Sequence, residues 1–459
     1  MHDLRTFLDT VRRERPRDIV DIGRTVSPKH ETTAILTKLE RSYHFPILCF
    51  RSVTGSPFPV VTNVCGSVAR LALALRCSVA ELSRVYAARC AHPVKPEVKS
   101  EAPVQERVLT GKDVNLESFP QFVYHEDDSP QPYITAAIVV ACDPETGKSN
   151  LSFHRLMIVN RNTTAIFMAR GKHLDQIYRK CESAGQPMPI AAFLGVHPAC
   201  SLGALYTGSA ETEEYDIIGG LQESPLALVN CVTNSLRVPA NAEFVLEGLV
   251  PPRTRVNEGP FGEFTGYSTG NMLCPMFEVQ AVTSRQDPIF QDIVSGHSEH
   301  LLLPILGMEH HLLEAARIAV PTTVNVRLLV PLTAFVAINK QDDSQPQRLI
   351  ESLLARDIYV KQVIVVDADV NTSDLREVAT AVALHVRPDR DVYIYRSMLG
   401  TELDPACDSA DGSTAKLGID ATLPLKTTRN VRKNRVSKHL LDSINISEFL
   451  QTAVGAVTP

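Results

Sequence analysis

The middle third of the chain consists of short β-rich runs separated by turns, and this pattern limits the fold more than any other feature. The runs YITAAIVVA, LSFHRLMIV and AIFMA are separated by the turn sequences DPETGK and NRNT. Apolar and β-branched runs joined by such turns are typical of an antiparallel sheet or barrel. We expect the later runs FVLEGLV, FEVQAVTS and PIFQDIV to extend the same β-region.

The chain alternates between helix and strand patterns on either side of this region. DLRTFLDTVRRE and ETTAILTKLER have helical apolar spacing, whereas FPILCF and VKQVIVVDADV are typical of buried strands. Such alternation favours α/β units. Residues 91–106, rich in Pro, Lys and Glu, are predicted to be a linker. We therefore predict an N-terminal α/β domain (residues 1–105), a central β-domain (106–300), and a linking helix with a C-terminal α/β domain (301–459) that ends in a short helix near residues 443–455.

Composition and charge exclude several classes of protein. A hydrophobic content of 44% with 21% charged residues is typical of a folded globular chain. The net charge of −6 disfavours a nucleic-acid partner. The sequence contains no signal peptide pattern and no apolar run long enough to span a membrane, so we expect a cytoplasmic protein. Ten scattered cysteines without a CxxC pair indicate neither a zinc ribbon nor a disulfide framework.

Residues 257–270, NEGPFGEFTGYSTG, carry two glutamates among turn-forming residues. Gly259 and Pro260 exclude a regular helix there, so the segment is predicted to be a loop with a defined shape. Partial burial of Glu258 and Glu263 beside Phe261 would allow one of these acids to serve as a proton donor. The alternative is a solvated turn with two surface glutamates, and spacing alone does not decide between them.

Three polar side chains of the β-region suggest a cation site. Asn150, His173 and Glu214 follow or precede turns, with Arg155 close by in sequence. An amide oxygen, an imidazole and a carboxylate suit a divalent ion that holds a phosphate. The alternatives are ordinary roles for each residue, as a turn cap, a helix start and an exposed acid.

A second cluster, SGHSEH followed by GMEHH, contains four histidines. It could form the site of a metal hydrolase, but the adjacent His310 and His311 would point about 100° apart on a helix, which disfavours a site shared with His300. His297 follows a strand and a glycine, a position from which a side chain can face a cleft. We therefore assign His297 to the substrate pocket.

These motifs together resemble the UbiD family of decarboxylases, which use prenylated flavin mononucleotide (prenylated FMN). NLSFHR (150–155), GKH ending at His173, EEY with Glu214, RVPANAEFVLEG, NEGPFGEFTGY and AKLGIDAT (415–422) occur in the family's order and approximate spacing. The dinucleotide, nucleotide, zinc-protease and serine-hydrolase motifs are absent from the sequence. The resemblance spans nearly the whole chain.

The resemblance implies a role for each motif. Arg155, Glu258 and Glu263 would form the catalytic network, and Asn150, His173 and Glu214 would bind a Mn²⁺ ion that anchors the cofactor phosphate, with K⁺ nearby. The implied cofactor-binding residues are Asn150, Ser152, Phe153, His154, Arg155, Lys172, His173 and Glu214. The central domain would be a flavin-reductase-like split β-barrel, and the C-terminal domain would mediate homodimerisation or higher assembly.

The function implied is reversible non-oxidative decarboxylation of an aromatic or heteroaromatic acid, releasing CO₂, with Glu263 as proton donor. SGHSEHLLLP resembles the segment of members that act on pyrrole, furan or indole carboxylates, where His297 would face the ring. A flavin prenyltransferase would supply the cofactor. The alternative is a non-catalytic or companion-dependent flavin- or metal-binding subunit of a decarboxylase complex. The joint presence of Arg155, Glu258 and Glu263 favours the enzyme.

Overall fold

A computed structural model describes residues 2–208, 212–408, 411–426, 434, 436–446 and 449. The N-terminal part contains α1 (Leu4–Glu14), β1 (Ile19–Ile22), α2 (Glu31–Arg41), β2 (Ile47–Phe50), β3 (Val60–Thr62), α3 (Val68–Ala74) and α4 (Leu82–Cys90). Helix α1 illustrates how local sequence forms these elements. The Asp3 carboxylate caps it by accepting a hydrogen bond from the Thr6 N–H at 2.8 Å, and Phe7 and Val11 are among its buried apolar residues. The predicted helices and the FPILCF strand are therefore confirmed.

The central part contains most of the strands. Its elements are β4 (Glu97–Lys99), β5 (Arg107–Thr110), β6 (Tyr133–Ile134), β7 (Ile138–Cys142), β8 (Ser149–Phe153), β9 (Leu156–Asn160), β10 (Thr163–Ile166), α5 (His173–Ser183), β11 (Met188–Leu194), α6 (Pro198–Ala204), α7 (Glu214–Gln222), β12 (Ala227–Asn230), β13 (Arg237–Pro239), β14 (Phe244–Val250), β15 (Arg255–Glu258), β16 (Phe261–Gly262), β17 (Ser268–Thr269), β18 (Met272–Ser284) and β19 (Phe290–Asp292). The main sheet has the order β6-β9-β10-β18-β14-β11-β7-β8, and β5 and β15 also pair with β18. Every pairing in this sheet is antiparallel, as the short runs predicted.

The C-terminal part alternates strands and helices as predicted. It contains α8 (Ser298–Leu302), α9 (Ile305–Ala319), β20 (Thr323–Val330), β21 (Thr333–Ile338), α10 (Gln345–Arg356), β22 (Gln362–Asp367), α11 (Leu375–His385), β23 (Val392–Leu399), β24 (Ser413–Ala421) and α12 (Lys438–Ser443). The sheet order is β20-β21-β22-β24-β23, in which β22 runs parallel to both of its neighbours. The helix predicted near residues 443–455 falls largely outside the described residues.

The structure differs from three expectations. Strand β19, from the run PIFQDIV, pairs with β3 in the N-terminal sheet rather than extending the central one. The predicted linker contains β4, which pairs with β12. The strand path of the central sheet ends at β6 and β8, and no closed barrel is found in the described ranges. Pairing between distant segments caused the first two differences, because local composition does not record it.

The mixed α/β architecture is confirmed, whereas the domain boundaries near residues 105 and 300 stay a prediction. Strand β18 holds the site in place, because it pairs with β10, β14 and β15 at once. The segment between β15 and β18 carries the two glutamates of NEGPFGEFTGY, so this loop lies between paired strands of the sheet, as expected. A large hydrophobic core that includes Tyr133, Phe261 and Phe277 packs beneath it.

Candidate active site

Arg155, Glu258 and Glu263 form one buried ion-pair network. Arg155 lies between β8 and β9, Glu258 ends β15, and Glu263 follows β16. The Nε and Nη2 atoms of Arg155 donate to the two carboxylate oxygens of Glu258, each at 2.8 Å, and its Nη1 donates to Glu263. All three residues are at most 7% exposed. The structure thus brings together the acid pair and the arginine that the sequence suggested.

The surroundings of the network favour a charged arginine. Burial opposes the charge of Arg155, but the hydrogen bonds to Glu258 and the charges of both glutamates outweigh it and raise the pKa of Arg155. The guanidinium carbon lies 4.3 Å from the ring centroid of Phe167 and 4.8 Å from that of Phe261. The Tyr133 hydroxyl donates to Glu258 at 3.1 Å and accepts from the Gly259 N–H at 3.1 Å.

The loop that carries the acids is held by contacts from both sides. Asp128 accepts from the Gly262 N–H at 2.6 Å, and the Ser295 hydroxyl donates to the Gly262 carbonyl at 2.5 Å. Gly259 has a φ of +89°, and a Cβ there would lie 2.6 Å from the Gly270 carbonyl oxygen, so only glycine fits. The segment is therefore a loop of defined shape rather than a solvated turn.

Asn150 and Glu214 form a second buried corner, at β8 and the start of α7. The Leu151 N–H donates to Glu214 at 3.1 Å, which fixes the carboxylate beside the strand that carries Asn150. The Asn150 side-chain oxygen is buried and has no hydrogen-bond partner among the described residues. Burial raises the pKa of Glu214 to about 8. A free amide oxygen next to a buried carboxylate is the donor set that a bound cation would satisfy.

The remaining predicted cofactor residues lie at the start of α5 and along β8 and the residues that follow it. His173 is the first residue of α5, which packs against β8, and its side chain is exposed. Lys172 forms an ion pair with Asp357 at 3.4 Å. Ser152 contacts the His154 Nε2 at 2.8 Å, and the His154 Nδ1 contacts the Phe167 carbonyl at 2.7 Å. Burial lowers the pKa of His154 to about 4, so this histidine is neutral.

A cavity of about 370 Å³ opens beside the network. Arg155, Glu263, His154 and Phe153 line it from the central part of the chain, and the residues around Leu301–Met308 and Leu328–Leu332 line it from the C-terminal part. Leu332 has a positive φ of 61° in this wall. One of the two predicted acids, Glu263, thus lines a cavity whose other walls come from distant segments of the chain.

His297 does not line this cavity, whereas His300 does. The His297 Nδ1 pairs with Glu40 at 2.7 Å, and its ring lies parallel to that of His125. The role assigned to His297 stays a prediction. The sequence contained a signal for His300, because this residue lies in the same SGHSEH motif as His297. In contrast, Thr135, Ser295 and Tyr359 carried no local signal, because distant pairing brings them to the site.

The histidine cluster is dispersed in the structure. His311 accepts from the Arg356 Nε at 3.0 Å, and His310 lies 3.8 Å from Glu314. The described residues contain no group of three or more His, Cys, Asp or Glu side chains arranged to hold a metal ion. Asn150, His173 and Glu214 include an amide, so this finding does not concern them. No helix in the described part of the chain is both long and apolar enough to cross a membrane.

Three family models match the chain in succession. They are described as the N-terminal domain (residues 12–90), the Rift-related domain (96–298) and the C-terminal domain (306–421) of 3-octaprenyl-4-hydroxybenzoate carboxy-lyase. The chain belongs to the UbiD family. This confirms the resemblance and the assignment to the carboxy-lyases.

Relatives in the UbiD family are similar over nearly their full length. A phenolic acid decarboxylase from Streptomyces sp. is 31% identical over 475 residues, covering 99% of each chain. An anhydromevalonate phosphate decarboxylase from Methanothermobacter thermautotrophicus is 29% identical over 439 residues, covering 94% of this chain and 99% of the relative. The acids that these relatives act on therefore differ.

The structure of the UbiD-class enzyme HmfF from Pelotomaculum thermopropionicum, in complex with FMN, superposes with a TM-score of 0.89 at 35% identity, covering 98% of this chain and 100% of that one. An evolved dimeric form of HmfF in complex with prenylated FMN gives a TM-score of 0.85 at 34% identity with the same coverage. These similarities show that the whole chain has the UbiD-class fold.

Proposed function

We propose that this chain catalyses reversible, non-oxidative decarboxylation of an aromatic or heteroaromatic carboxylic acid with prenylated FMN as cofactor. The observation that carries the proposal is the buried network of Arg155, Glu258 and Glu263 at the edge of a cavity. An acid held beside a permanently charged arginine in an apolar cavity is an arrangement suited to proton transfer. A subunit that only binds flavin would not need such a network.

The reaction breaks the bond between the ring carbon and the carboxylate carbon. CO₂ leaves, Glu263 gives its proton to the ring carbon, and the electron pair of the broken bond ends in the new C–H bond. Water must then return a proton to Glu263 before the next turnover. Arg155 holds Glu263 in position and offers the second N–H of its Nη1 to the substrate carboxylate, while Glu258 balances the arginine charge.

The prenylated flavin, when bound, supplies the electron sink that no side chain of this cavity provides. We propose that Asn150, His173 and Glu214 bind a Mn²⁺ ion at its phosphate, with K⁺ nearby. The partnerless amide oxygen of Asn150 and the buried carboxyl of Glu214 support this assignment. Ser152, Phe153, His154 and Lys172 would complete the cofactor site. Complexes of HmfF with FMN and with prenylated FMN support the choice of cofactor.

An aromatic ring suits the cavity, because its walls are largely apolar and include Phe153, Phe167 and Phe264. The phenolic acid decarboxylase relative supports the same class of substrate. A homodimer, a flavin prenyltransferase as cofactor supplier and a cytoplasmic location belong to the same proposal.

The proposal is tested by producing the protein together with a flavin prenyltransferase. The absorption spectrum reports the cofactor, metal analysis reports Mn²⁺, and a panel of aromatic acids is screened for CO₂ release. We expect a flavin-loaded protein that releases CO₂ from at least one aromatic acid. A fully flavin-loaded, metal-loaded protein that releases none would overturn the proposed function.

A further inference from the structure

We infer that the cavity selects an acid with a single carboxylate, an apolar body and one hydrogen-bond acceptor that faces His300. This inference rests on the proposed function and narrows its substrate class. It follows from the polar atoms that the cavity walls leave free.

The cavity wall carries little positive charge. Arg155 is the one permanently charged cation among the described residues that line the cavity, and both of its neighbours are carboxylates. His154 lines the cavity too, but both of its nitrogens are engaged by Ser152 and Phe167. The cavity therefore offers nothing to neutralise a second carboxylate or a phosphate on the substrate, and an unpaired buried anion is strongly disfavoured.

Three side chains of the cavity wall carry a neutral hydroxyl group: Thr135, Ser295 and Tyr359. The Thr135 hydroxyl donates to Asp292 at 3.1 Å, and the Ser295 hydroxyl donates to the Gly262 carbonyl. Thr401 hydrogen-bonds to the Tyr359 side chain as a donor, so the Tyr359 oxygen accepts and its own O–H stays available. The Thr135 and Ser295 hydroxyls already donate to protein partners and are poorly placed to recognise a substrate, whereas Tyr359 can still donate to an acceptor.

Two groups contact the His300 Nδ1: the Gly296 N–H at 3.1 Å and the Ser295 hydroxyl oxygen at 3.2 Å. A backbone N–H can only donate, whereas the Ser295 hydroxyl already gives its hydrogen to the Gly262 carbonyl. We therefore assign Nδ1 as the acceptor of the Gly296 N–H, which leaves the hydrogen of the neutral ring on Nε2. Nε2 has no hydrogen-bond partner among the described residues, and the ring lines the cavity. Burial lowers the pKa of His300 and outweighs the opposing effect of Glu263. The lowered pKa favours the neutral ring.

The rest of the wall is apolar. Leu301, Leu303, Ile305 and Met308 line one side, and residues 328–332, LLVPL, line another. Such a surface favours an apolar substrate body and gives no partner to an N–H or O–H donor. His300 and Tyr359 are therefore the neutral side chains of the wall that can donate to a substrate, and the position that faces His300 prefers an acceptor.

The tautomer is tested without cofactor or substrate. Two-dimensional NMR of ¹⁵N-histidine-labelled protein, with the His300 signal identified by its loss in His300→Gln, distinguishes Nδ1-H from Nε2-H. We expect a neutral Nε2-H ring at neutral pH. A ring protonated at Nδ1, or doubly protonated, would overturn the inference whatever the enzyme's activity.

Selectivity is tested with matched acids. Methoxybenzoates carry an acceptor, ethylbenzoates have nearly the same shape without one, and benzenedicarboxylates carry a second carboxylate. Binding is measured by calorimetry to flavin-loaded Glu263→Gln protein, which should bind acids without turning them over, and kcat/KM is measured on the wild-type holoenzyme.

We expect the monoacids to bind at least about 100-fold more tightly than the dicarboxylates, because the second charge stays unpaired. At the ring position that faces His300, methoxy should be preferred over ethyl by roughly tenfold. His300→Leu should reduce this preference to within about threefold, and His300→Gln, which keeps an N–H, should retain part of it. His44→Gln, at an exposed histidine outside the cavity, is the control and should leave the preference intact, while His297→Gln tests the pocket role predicted for His297.

Equal binding of monoacids and dicarboxylates, or a preference that changes with His297 rather than His300, would overturn the inference. CO₂ release from any of these acids would uphold the proposed function in that case. Conversely, a holoenzyme that binds the acids with the expected preference but releases no CO₂ would overturn the proposed function and uphold the inference.

Discussion

The two buried polar regions of the site differ in how far the protein itself satisfies them. In the network of Arg155, Glu258 and Glu263, each side chain is hydrogen-bonded to another member of the network. At the corner of Asn150 and Glu214, the amide oxygen has no partner among the described residues, and the carboxyl is hydrogen-bonded by backbone N–H groups and by no cationic side chain of the described residues. Both regions are equally buried, so burial alone does not separate them.

This difference separates the tasks of the two regions. A saturated network can hold a proton donor in a fixed position before anything binds, which is what a catalytic acid requires. An unsaturated corner costs the protein free energy until a ligand completes it. We therefore expect changes in the network to reduce turnover and changes in the corner to reduce binding of the metal and flavin.

The largest effect is expected for Glu263→Gln. The amide keeps the size of the side chain but cannot deliver the proton, so turnover should fall by about 10²–10⁴-fold while flavin and metal content stay normal. Steady-state CO₂ release with matched cofactor analysis measures this. Glu126→Gln, at an exposed acid, is the control. Near-normal turnover in Glu263→Gln would contradict a catalytic role for Glu263 and leave the loop with a structural role only.

Glu214→Gln should change the pH dependence of stability in the metal-free protein. The pKa of Glu214 is raised from 4.5 to about 8. Between these two pH values the folded state therefore keeps a proton that the unfolded state has already released. Stability should therefore fall as pH rises through this window, by about 2–4 kcal/mol from this group. Gln should remove that slope, and so should Mn²⁺ bound to the wild type.

Chemical denaturation at several pH values measures the slope. Glu117→Gln, at an exposed acid, should leave it unchanged. A wild-type slope that persists in Glu214→Gln would mean that another group is responsible.

Asn150→Leu should separate folding from metal binding. Leucine has a similar size and removes an amide oxygen that has no partner, so the metal-free protein should be as stable as the wild type or more stable. Retention of Mn²⁺ should nevertheless fall by roughly 10–100-fold, and flavin should be lost with it. Thermal denaturation and metal analysis measure the two quantities. Full metal retention would exclude Asn150 as a ligand.

The smallest effect is expected for Tyr133→Phe. This change removes a hydrogen bond to Glu258 and one from the Gly259 N–H, and should cost about 1 kcal/mol of stability. Turnover should fall only a few-fold, because Arg155 still holds Glu258. Denaturation midpoints and CO₂ release measure these effects. Tyr267→Phe, at an exposed position of the same loop, is the control, and an equal loss in both variants would contradict a specific role for Tyr133.

Features that are local in sequence could be predicted. The capped helix α1, the strands of the β-rich runs and the loop around Gly259 all depend on neighbouring residues. The family motifs also indicated that Arg155, Glu258 and Glu263 act together, and the structure brings these three side chains into contact.

Features that depend on distant pairing could not be predicted. Strand β19 joins a sheet formed more than 200 residues earlier, and nothing in PIFQDIV specifies that partner. The cavity wall from Leu328–Leu332 and the place of His300 in the lining depend on how the C-terminal part packs against the central sheet. The unpaired state of Asn150 is likewise visible only in three dimensions.

Hydrogen exchange at the ring carbon tests the role of Glu263 most directly. The product of the decarboxylation, an aromatic compound without its carboxylate, is incubated in D₂O with flavin-loaded wild type and with Glu263→Gln, and deuterium at the reacting carbon is followed by NMR. We expect exchange with the wild type and exchange at least about 100-fold slower with Glu263→Gln. Exchange at similar rates in both proteins would contradict Glu263 as the proton donor.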